Sequence, residues 1–311
     1  MNEELYISRS TGKCIETATR HFTANIKHIL RRTWPLLVVY AIALTLLCLI
    51  YKPSMAIHSI GVSHPYATFL VMTAIYLLCI AAGAMLIAST FACLNHLPIK
   101  KLVAKGFVCV IVLILCAMLL ISLATGSLKA YITIGLAALH LSENTTTLIG
   151  WAIILGLITF LGAAMLPFSF SCTRFIAEEN AKLRNIVGLD YRIGWRHWGF
   201  LVGTNIVAII VFALSAIIAL APFGIILLAQ ISNQLGMLDG DPDGTPLYFF
   251  PLLIVTTLLS MFILALEEIW LLTVQYYAYG SIVKQETERQ RIAGFKQDGN
   301  SKVLIDVKNG N

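Results

Sequence analysis

The chain has 311 residues, of which 58% are hydrophobic and only 12% are charged, whereas an ordinary soluble domain has about 25% charged residues. Together with a mean hydropathy of +0.83, this composition excludes an ordinary soluble domain and indicates an integral membrane protein. The net charge of +6 does not indicate nucleic-acid binding, because the basic residues lie beside apolar runs and form no separate basic domain.

The N-terminal arm, residues 1–33, has the pattern of an amphipathic helix. The apolar side chains that share one face are Ile15, Ala18, Phe22, Ile26 and Ile29. The cations that gather on the far side are Lys13, Arg20, Lys27 and Arg31. Two interpretations remain open: the arm lies at the membrane surface with its cations toward anionic lipid headgroups, or it packs under the bundle and tethers the first span.

Six apolar runs are long enough, or nearly so, to cross the ~30 Å hydrocarbon core as helices, which takes about 20 residues. They cover residues 34–51, 66–94, 102–123, 147–172, 200–228 and 247–279. Backbone polar groups in lipid must be satisfied within each segment, so every run predicts a helix. The first span is expected to begin at Thr33 as its N-cap, with Pro35 in the first turn. The predicted fold is all-α: a polytopic bundle of six transmembrane helices in three hairpins.

The distribution of Lys and Arg predicts how the chain crosses the membrane. With six spans, one side holds 20 of the 22 Lys and Arg residues, a strong positive-inside pattern. The segments on that side are 1–33, 95–105, 173–198 and 284–311. A seventh span at 127–141 would move 11 of these basic residues to the other side, so we expect 127–141 to be interfacial or re-entrant. Both termini are therefore expected in the cytoplasm, with the spans in a bacterial inner membrane and the tail 284–311 largely disordered after a brief helix.

The loop before the fifth span carries an aromatic and basic cluster. Trp195 and Trp198 lie among Arg192 and Arg196 in the stretch DYRIGWRHWG. Tryptophan and arginine in this position are typical of an anchor at the membrane surface. We therefore expect the two tryptophans, like the cations of the arm, to contact the membrane surface.

Two stretches share one layout, in which a basic amphipathic segment leads into a hairpin. They are TATRHFTANIKHILRRTWPLLVVYAI, from the arm and the first span, and DYRIGWRHWGFLVGTNIVAII, at the start of the fifth span. In this the chain resembles a group of bacterial polytopic proteins. The group includes the membrane domain fused to some glycerophosphodiester phosphodiesterases, and related stand-alone inner-membrane proteins of unassigned function. The resemblance implies six spans and no catalytic residue, because the phosphodiesterase domain has no counterpart here.

Two carboxylates, Glu267 and Glu268, interrupt the sixth apolar run. Glu267 falls about 28 Å beyond Tyr248 along a helix, near the inner boundary of the hydrocarbon. An ionised carboxylate in lipid costs a few kcal/mol or more, so each should be partnered or protonated. The expected partners are Arg174, Arg192, Arg196, Arg31 and Arg32. The pair is either a structural ion-pair lock or a proton or cation site in a cytoplasm-facing cavity.

Pro167 and Pro222 fall within the fourth and fifth spans and predict helix kinks. Such kinks either shape the bundle or mark the broken helices of a transporter site. No nucleophile–base set, metal-ligand spacing or nucleotide fingerprint is visible, so we expect no catalytic residue, metal or cofactor.

The expected function is non-enzymatic: a permease-like or membrane-organising protein that handles lipid or small molecules. The alternative is a proton-coupled transporter that uses an inner-leaflet carboxylate, and an intramembrane enzyme comes third. The expected partners are membrane lipids, including anionic headgroups on the cytoplasmic side.

Overall fold

The computed structural model describes residues 5–50, 65–124, 143–238, 246 and 248–309. Within these residues the chain forms eight α-helices and no strand. The helices are α1 (Thr11–Ile50), α2 (Pro65–Asn95), α3 (Ile99–Ala124), α4 (Glu143–Ala177), α5 (Leu183–Val187), α6 (Leu189–Arg196), α7 (Trp198–Leu238) and α8 (Phe249–Asn309).

Six helices, α1, α2, α3, α4, α7 and α8, are long and apolar enough to cross a membrane. This confirms the predicted all-α polytopic fold. Sequential helices pack together as α1–α2, α2–α3, α3–α4 and α7–α8, and α8 closes the bundle through an extensive contact with α1. The segment 127–141, which we expected to be interfacial or re-entrant, lies outside the described residues.

The arm and the first span form one helix, which differs from the predicted helix start at Thr33. Helix α1 begins at Thr11 and runs through Pro35. Thr33 does not cap it, because its hydroxyl donates to the carbonyl of Ile29 one turn earlier, at 2.8 Å. The stretch before Thr33 contains no proline and one glycine, Gly12, so nothing in it breaks a helix. On the apolar face of the arm, Ala18 and Ile29 are buried while Ile26 is exposed. The arm contacts α8 through Cys14 with the Tyr277 carbonyl and Thr19 with Trp270, which supports the interpretation that the arm packs with the bundle.

Helix α8 is also longer than the apolar run that predicts it. It has 61 residues, about 92 Å at 1.5 Å per residue. The helix continues to Asn309, whereas the sequence predicts a brief helix and then disorder. The stretch 281–309 contains no proline and is rich in Lys, Arg, Glu and Gln, which are good helix formers.

Burial is concentrated toward one end of the bundle. On α2 the residues 82–94 are largely buried, while 69–78 expose large apolar side chains. On α8 the residues 269–282 are largely buried, while 250–259 expose such side chains in the same way. Hydrogen bonds and ion pairs bring four segments together at the buried end: 5–10, 95–101, 174–197 and 276–291. We call these four segments the basic end.

The N-terminal residues before α1 dock along α8 at the basic end. Leu5 is buried against Gly280, where a Cβ atom would lie 2.4 Å from the Leu5 carbonyl oxygen. The Arg9 amide donates to Ser281 Oγ at 2.9 Å, and the Arg9 guanidinium lies 5.3 Å from the Tyr277 ring centroid. Only glycine allows so close an approach at position 280, and we call residues 5–10 the N-terminal strap.

Candidate functional site

The two glutamates of α8 point to different neighbours. Glu267 accepts a hydrogen bond from Ser215 Oγ of α7. Glu268 lies beside the hydroxyl of Tyr40 of α1. Adjacent helical residues point about 100° apart, so one carboxylate faces α7 and the other faces α1. Glu267 lies about 27 Å from Phe249 along the helix axis.

Glu267 lies where two cavities meet. One cavity, of about 520 Å³, lies between α7 and α8. The other, of about 320 Å³, lies between α1, α7 and α8. Both are bordered by Ser215 and Glu267, and we call the two together the α7–α8 groove. The Oε2 atom of Glu267 is buried and has no hydrogen-bond partner among the described residues, so one carboxylate oxygen in this groove is not satisfied by the protein.

The walls of the α7–α8 groove are mostly apolar and partly open to the surroundings. Leu214, Ile218 and Leu259 line the groove and are 61%, 76% and 57% exposed. These exposed side chains belong to the surface that would face lipid tails. None of the described residues that line either cavity is Lys or Arg, so no cation in this part of the chain neutralises Glu267.

Polar contacts between α7 and α8 occur on both sides of Glu267. Ser260 of α8 donates to the backbone carbonyl of Ala219 at 2.7 Å. Toward the basic end, the Gln275 amide donates to Asn205 Oδ1 at 2.8 Å. Together with Ser215 and Glu267, these contacts form three polar pairs along one helix–helix interface, which fixes the axial register of α7 against α8.

Pro167 and Pro222 lie within spans, and the backbone carbonyl that Pro167 frees is satisfied by another helix. Pro167 has no amide hydrogen for the carbonyl of Ala163, four residues earlier. That carbonyl accepts from Trp198 Nε1 at 3.0 Å, and the neighbouring carbonyl of Ala164 accepts from the Tyr191 hydroxyl at 2.9 Å. Pro222 of α7 has no amide hydrogen for the carbonyl of Ile218. The structure therefore places Pro167 and Pro222 inside continuous helices, and at Pro167 the freed carbonyl is bonded by a side chain from another helix.

The structure does not bring the expected arginines to Glu267 and Glu268. Arg174 donates to Glu178 Oε1 at 2.9 Å and to Asp190 Oδ1 at 2.8 Å. Arg196 pairs with Glu286 at 2.5 Å, and Arg192 is exposed on α6. The reason is that acidic residues of the basic end lie closer to these arginines than the α7–α8 groove does. Arg174 and Arg196 therefore form their ion pairs at the basic end with other carboxylates, and not with Glu267 or Glu268.

Two carboxyl groups at the basic end have shifted pKa values. Burial raises the pKa of Asp190 above its ordinary value, and the nearby Arg174 guanidinium partly opposes that rise. The hydrogen bond from Lys101 lowers the pKa of Glu179. Asp190 is 2% exposed, so its carboxyl group depends on the charge of Arg174 in place of water.

A third cavity, of about 570 Å³, lies at the basic end beside the N-terminal strap. Asn95 and Glu178 lie at its polar border. Both are bonded to tyrosines of α8. The Tyr276 hydroxyl donates to Asn95 Oδ1 at 2.6 Å, and the Tyr279 hydroxyl donates to Glu178 Oε1 at 3.0 Å. These polar groups are engaged within the protein, so we assign the candidate site to the α7–α8 groove.

The side chains that we expected at the membrane surface are exposed in the structure. On α1 these are Lys13, Arg20, Lys27 and Arg31. On the other side, Trp195 and Trp198 are exposed with ring centroids 6.4 Å apart. The two groups lie on different helices, and whether they contact lipid stays a prediction.

Sequence reasoning found Glu267 and Glu268 but missed Ser215 and Tyr40. Each is a polar residue within an apolar run, which is the available signal. Comparison of the chain with protein-family models, curated proteins and solved structures finds no match. Its function is therefore inferred from its own geometry.

Proposed function

We propose that this integral membrane protein is permease-like and non-enzymatic, and that it admits a lipid or a small molecule into the α7–α8 groove. The observation that carries the proposal is the buried, unpartnered Oε2 atom of Glu267 at the junction of two mostly apolar cavities. An unsatisfied acid oxygen in such surroundings is costly. A ligand donor or a proton would remove that cost.

The composition of the groove fits an amphiphilic ligand. Leu214, Ile218 and Leu259 offer apolar surface to the ligand body, while Ser215 and Glu267 offer polar groups at one point. Mostly apolar cavities with a few convergent polar groups are typical of small-molecule sites. The exposure of the apolar wall allows a lipid or a membrane-dissolved molecule to enter from the side.

The enzymatic alternative receives less support. An activated nucleophile needs a base that a third group orients. Ser215 contacts Glu267, but no other titratable side chain lines either cavity among the residues that the structure describes. We therefore place no catalytic role on this pair.

A proton-coupled transporter is the second candidate, and the same Oε2 atom favours it. Glu267 Oε1 has the Ser215 hydroxyl as a donor, while Oε2 has no donor among the described residues, so Oε2 can take either a proton or a ligand donor. With a cationic or hydrogen-bonding ligand present, the ionised form gains a partner. Glu267 would then exchange a proton for the ligand, which is the coupling that such a transporter needs.

Transbilayer movement of a labelled lipid tests the first candidate. Proteoliposomes contain a trace of phospholipid with an NBD fluorophore on its headgroup, and dithionite bleaches only the label on the outer leaflet. We expect the wild-type protein to expose inner-leaflet label as well, and Glu267→Gln to slow this severalfold. Glu288→Gln, the same change at an exposed position of α8, should keep the wild-type rate. An equal rate in wild type and Glu267→Gln would exclude the groove as the lipid path.

Proton flux tests the second candidate. Vesicles that contain the pH dye pyranine and a potassium gradient report proton entry when valinomycin sets the membrane potential. We expect wild-type flux to disappear in Glu267→Gln. Glu268→Gln is expected to lower abundance and melting temperature instead, because Glu268 faces Tyr40 inside the bundle. If neither lipid nor protons move in any of these experiments, lipid movement and proton coupling are both wrong, and a small-molecule or membrane-organising role is left.

We further propose that the basic end faces the cytoplasm of a bacterium, with both termini there. The positive-inside distribution of 20 of the 22 Lys and Arg residues supports this orientation. Green fluorescent protein fused after Asn311 should be fluorescent, and alkaline phosphatase at the same point should be inactive. The opposite pair of results would reverse the orientation.

A further inference from the structure

A fourth cavity, of about 450 Å³, lies between α1 and α8, away from the α7–α8 groove. We call it the α1–α8 cleft. The side chains that line it are Lys27, Leu30, Arg31, Trp34, Val38 and Phe262. Cations stand at one end of this set along α1, and apolar side chains follow.

The two cations are placed to act together. Lys27 and Arg31 are four residues apart on a continuous helix, so they lie on one face with their Cβ atoms about 5–6 Å apart. Both are exposed, and neither forms an ion pair with an acid among the described residues. No acidic side chain is part of the described cleft lining. The charge at this end of the cleft is therefore available to an external anion.

The rest of the cleft is apolar. Trp34 is 56% exposed and lies one turn beyond Arg31 along α1. Val38 continues the same face by a further turn, and Phe262 of α8 forms the opposite wall. Tryptophan is favoured where headgroups meet hydrocarbon. Along α1 the cations are thus followed by a tryptophan and then by aliphatic surface. This order complements a phospholipid, in which an anionic phosphate is followed by the interfacial region and then by the acyl chains.

We propose that the α1–α8 cleft binds one anionic phospholipid, with the lipid phosphate between Lys27 and Arg31 and an acyl chain along Trp34, Val38 and Phe262. Basic pockets between transmembrane helices recognise anionic lipid headgroups in this way. The charge complementarity is specific to this part of α1: Lys13 and Arg20 are also exposed cations of α1, but the described cleft lining does not include them. The proposal does not depend on the function of the α7–α8 groove.

Quenching of Trp34 fluorescence by brominated lipids tests the proposal. The full chain is reconstituted in mixed phosphatidylglycerol and phosphatidylcholine vesicles of one composition, with bromine on the acyl chains of only one lipid or only the other. The difference between wild type and Trp34→Phe isolates Trp34 from the other four tryptophans. We expect brominated phosphatidylglycerol to be favoured about thirtyfold over brominated phosphatidylcholine at Trp34, the factor that two cations near an anionic lipid supply at about 1 kcal/mol each.

Two double variants separate a built site from general attraction. Lys27→Gln with Arg31→Gln should bring the preference close to one, whereas Lys13→Gln with Arg20→Gln, which removes the same charge from the same helix, should leave it unchanged. Native mass spectrometry supplies an independent readout: wild type and the second double variant should retain one phosphatidylglycerol, and the first should lose it. Equal quenching by both lipids in wild type, or equal loss in the two double variants, would overturn the proposal. So would a Trp34 that neither lipid quenches, because the cleft would then be covered by protein such as a second copy of the chain.

Discussion

Replacement of Gly280 by alanine is expected to release the N-terminal strap from α8. A Cβ atom at this position would lie 2.4 Å from the Leu5 carbonyl oxygen and 2.6 Å from Leu5 Cδ1, so Leu5 must move. Leu5 is 4% exposed, and burial of a leucine side chain contributes about 1.5–3 kcal/mol. A loss of about 2 kcal/mol raises the undocked fraction about thirtyfold, since about 1.4 kcal/mol corresponds to a factor of ten.

Trypsin cleavage after Arg9 measures the undocked fraction. Docked, the Arg9 amide is bonded to Ser281 and the strap is held against α8, so cleavage follows the open population when docking is faster than cleavage. Gly162→Ala is the matched control, because a Cβ there meets nothing within 4 Å and the gain in helix propensity, about 1 kcal/mol, is the same. We expect cleavage about thirtyfold faster in Gly280→Ala only. Equal rates in the two variants would refute the reasoning.

Two further substitutions test polar contacts at the basic end. Glu286→Gln removes the charge that pairs with Arg196 at 2.5 Å and is expected to lower the free energy of unfolding by about 1–3 kcal/mol. Glu288→Gln, at an exposed pair, should change that free energy by less than about 1 kcal/mol. Thermal melting in detergent compares the two variants, and equal losses of stability would contradict the prediction. Tyr276→Phe removes the donor to Asn95 at 2.6 Å and is expected to cost about 1–3 kcal/mol, and an unchanged melting temperature would count against this contact.

The number of long helices could be predicted from the sequence because it depends on one local quantity, the length of each apolar run. The helix ends could not. Thr33 and Pro35 form a plausible local start signal, but the structure continues the helix back to Thr11. Packing of the preceding arm against α8 outweighs that signal, and no local pattern reports a partner that lies more than 200 residues away.

The hydrogen-bond partners of the glutamates likewise depend on distant residues that local sequence patterns do not report. Arg174 and Glu178 are four residues apart on α4, so helical spacing could have predicted their contact. Ser215 and Glu267 are separated by 52 residues, and their contact depends on the register of the two helices. The three polar pairs between α7 and α8 all have midpoints near residue 240. Pairing the polar residues of the fifth span with those of the sixth, as in an antiparallel hairpin, would have matched Ser215 with Glu267. The sequence therefore contained a signal for this contact.

Helix α8 carries Glu267 in the groove and, without interruption, Ser281 and Glu286 at the basic end. An unbroken helix behaves as a stiff rod, so a tilt at the groove becomes a sideways displacement at the far end, magnified by the distance between them. At the far end, the strap is bonded to Ser281 and Arg196 is paired with Glu286. A displacement of α8 at the α7–α8 groove is therefore resisted at the basic end by these two contacts.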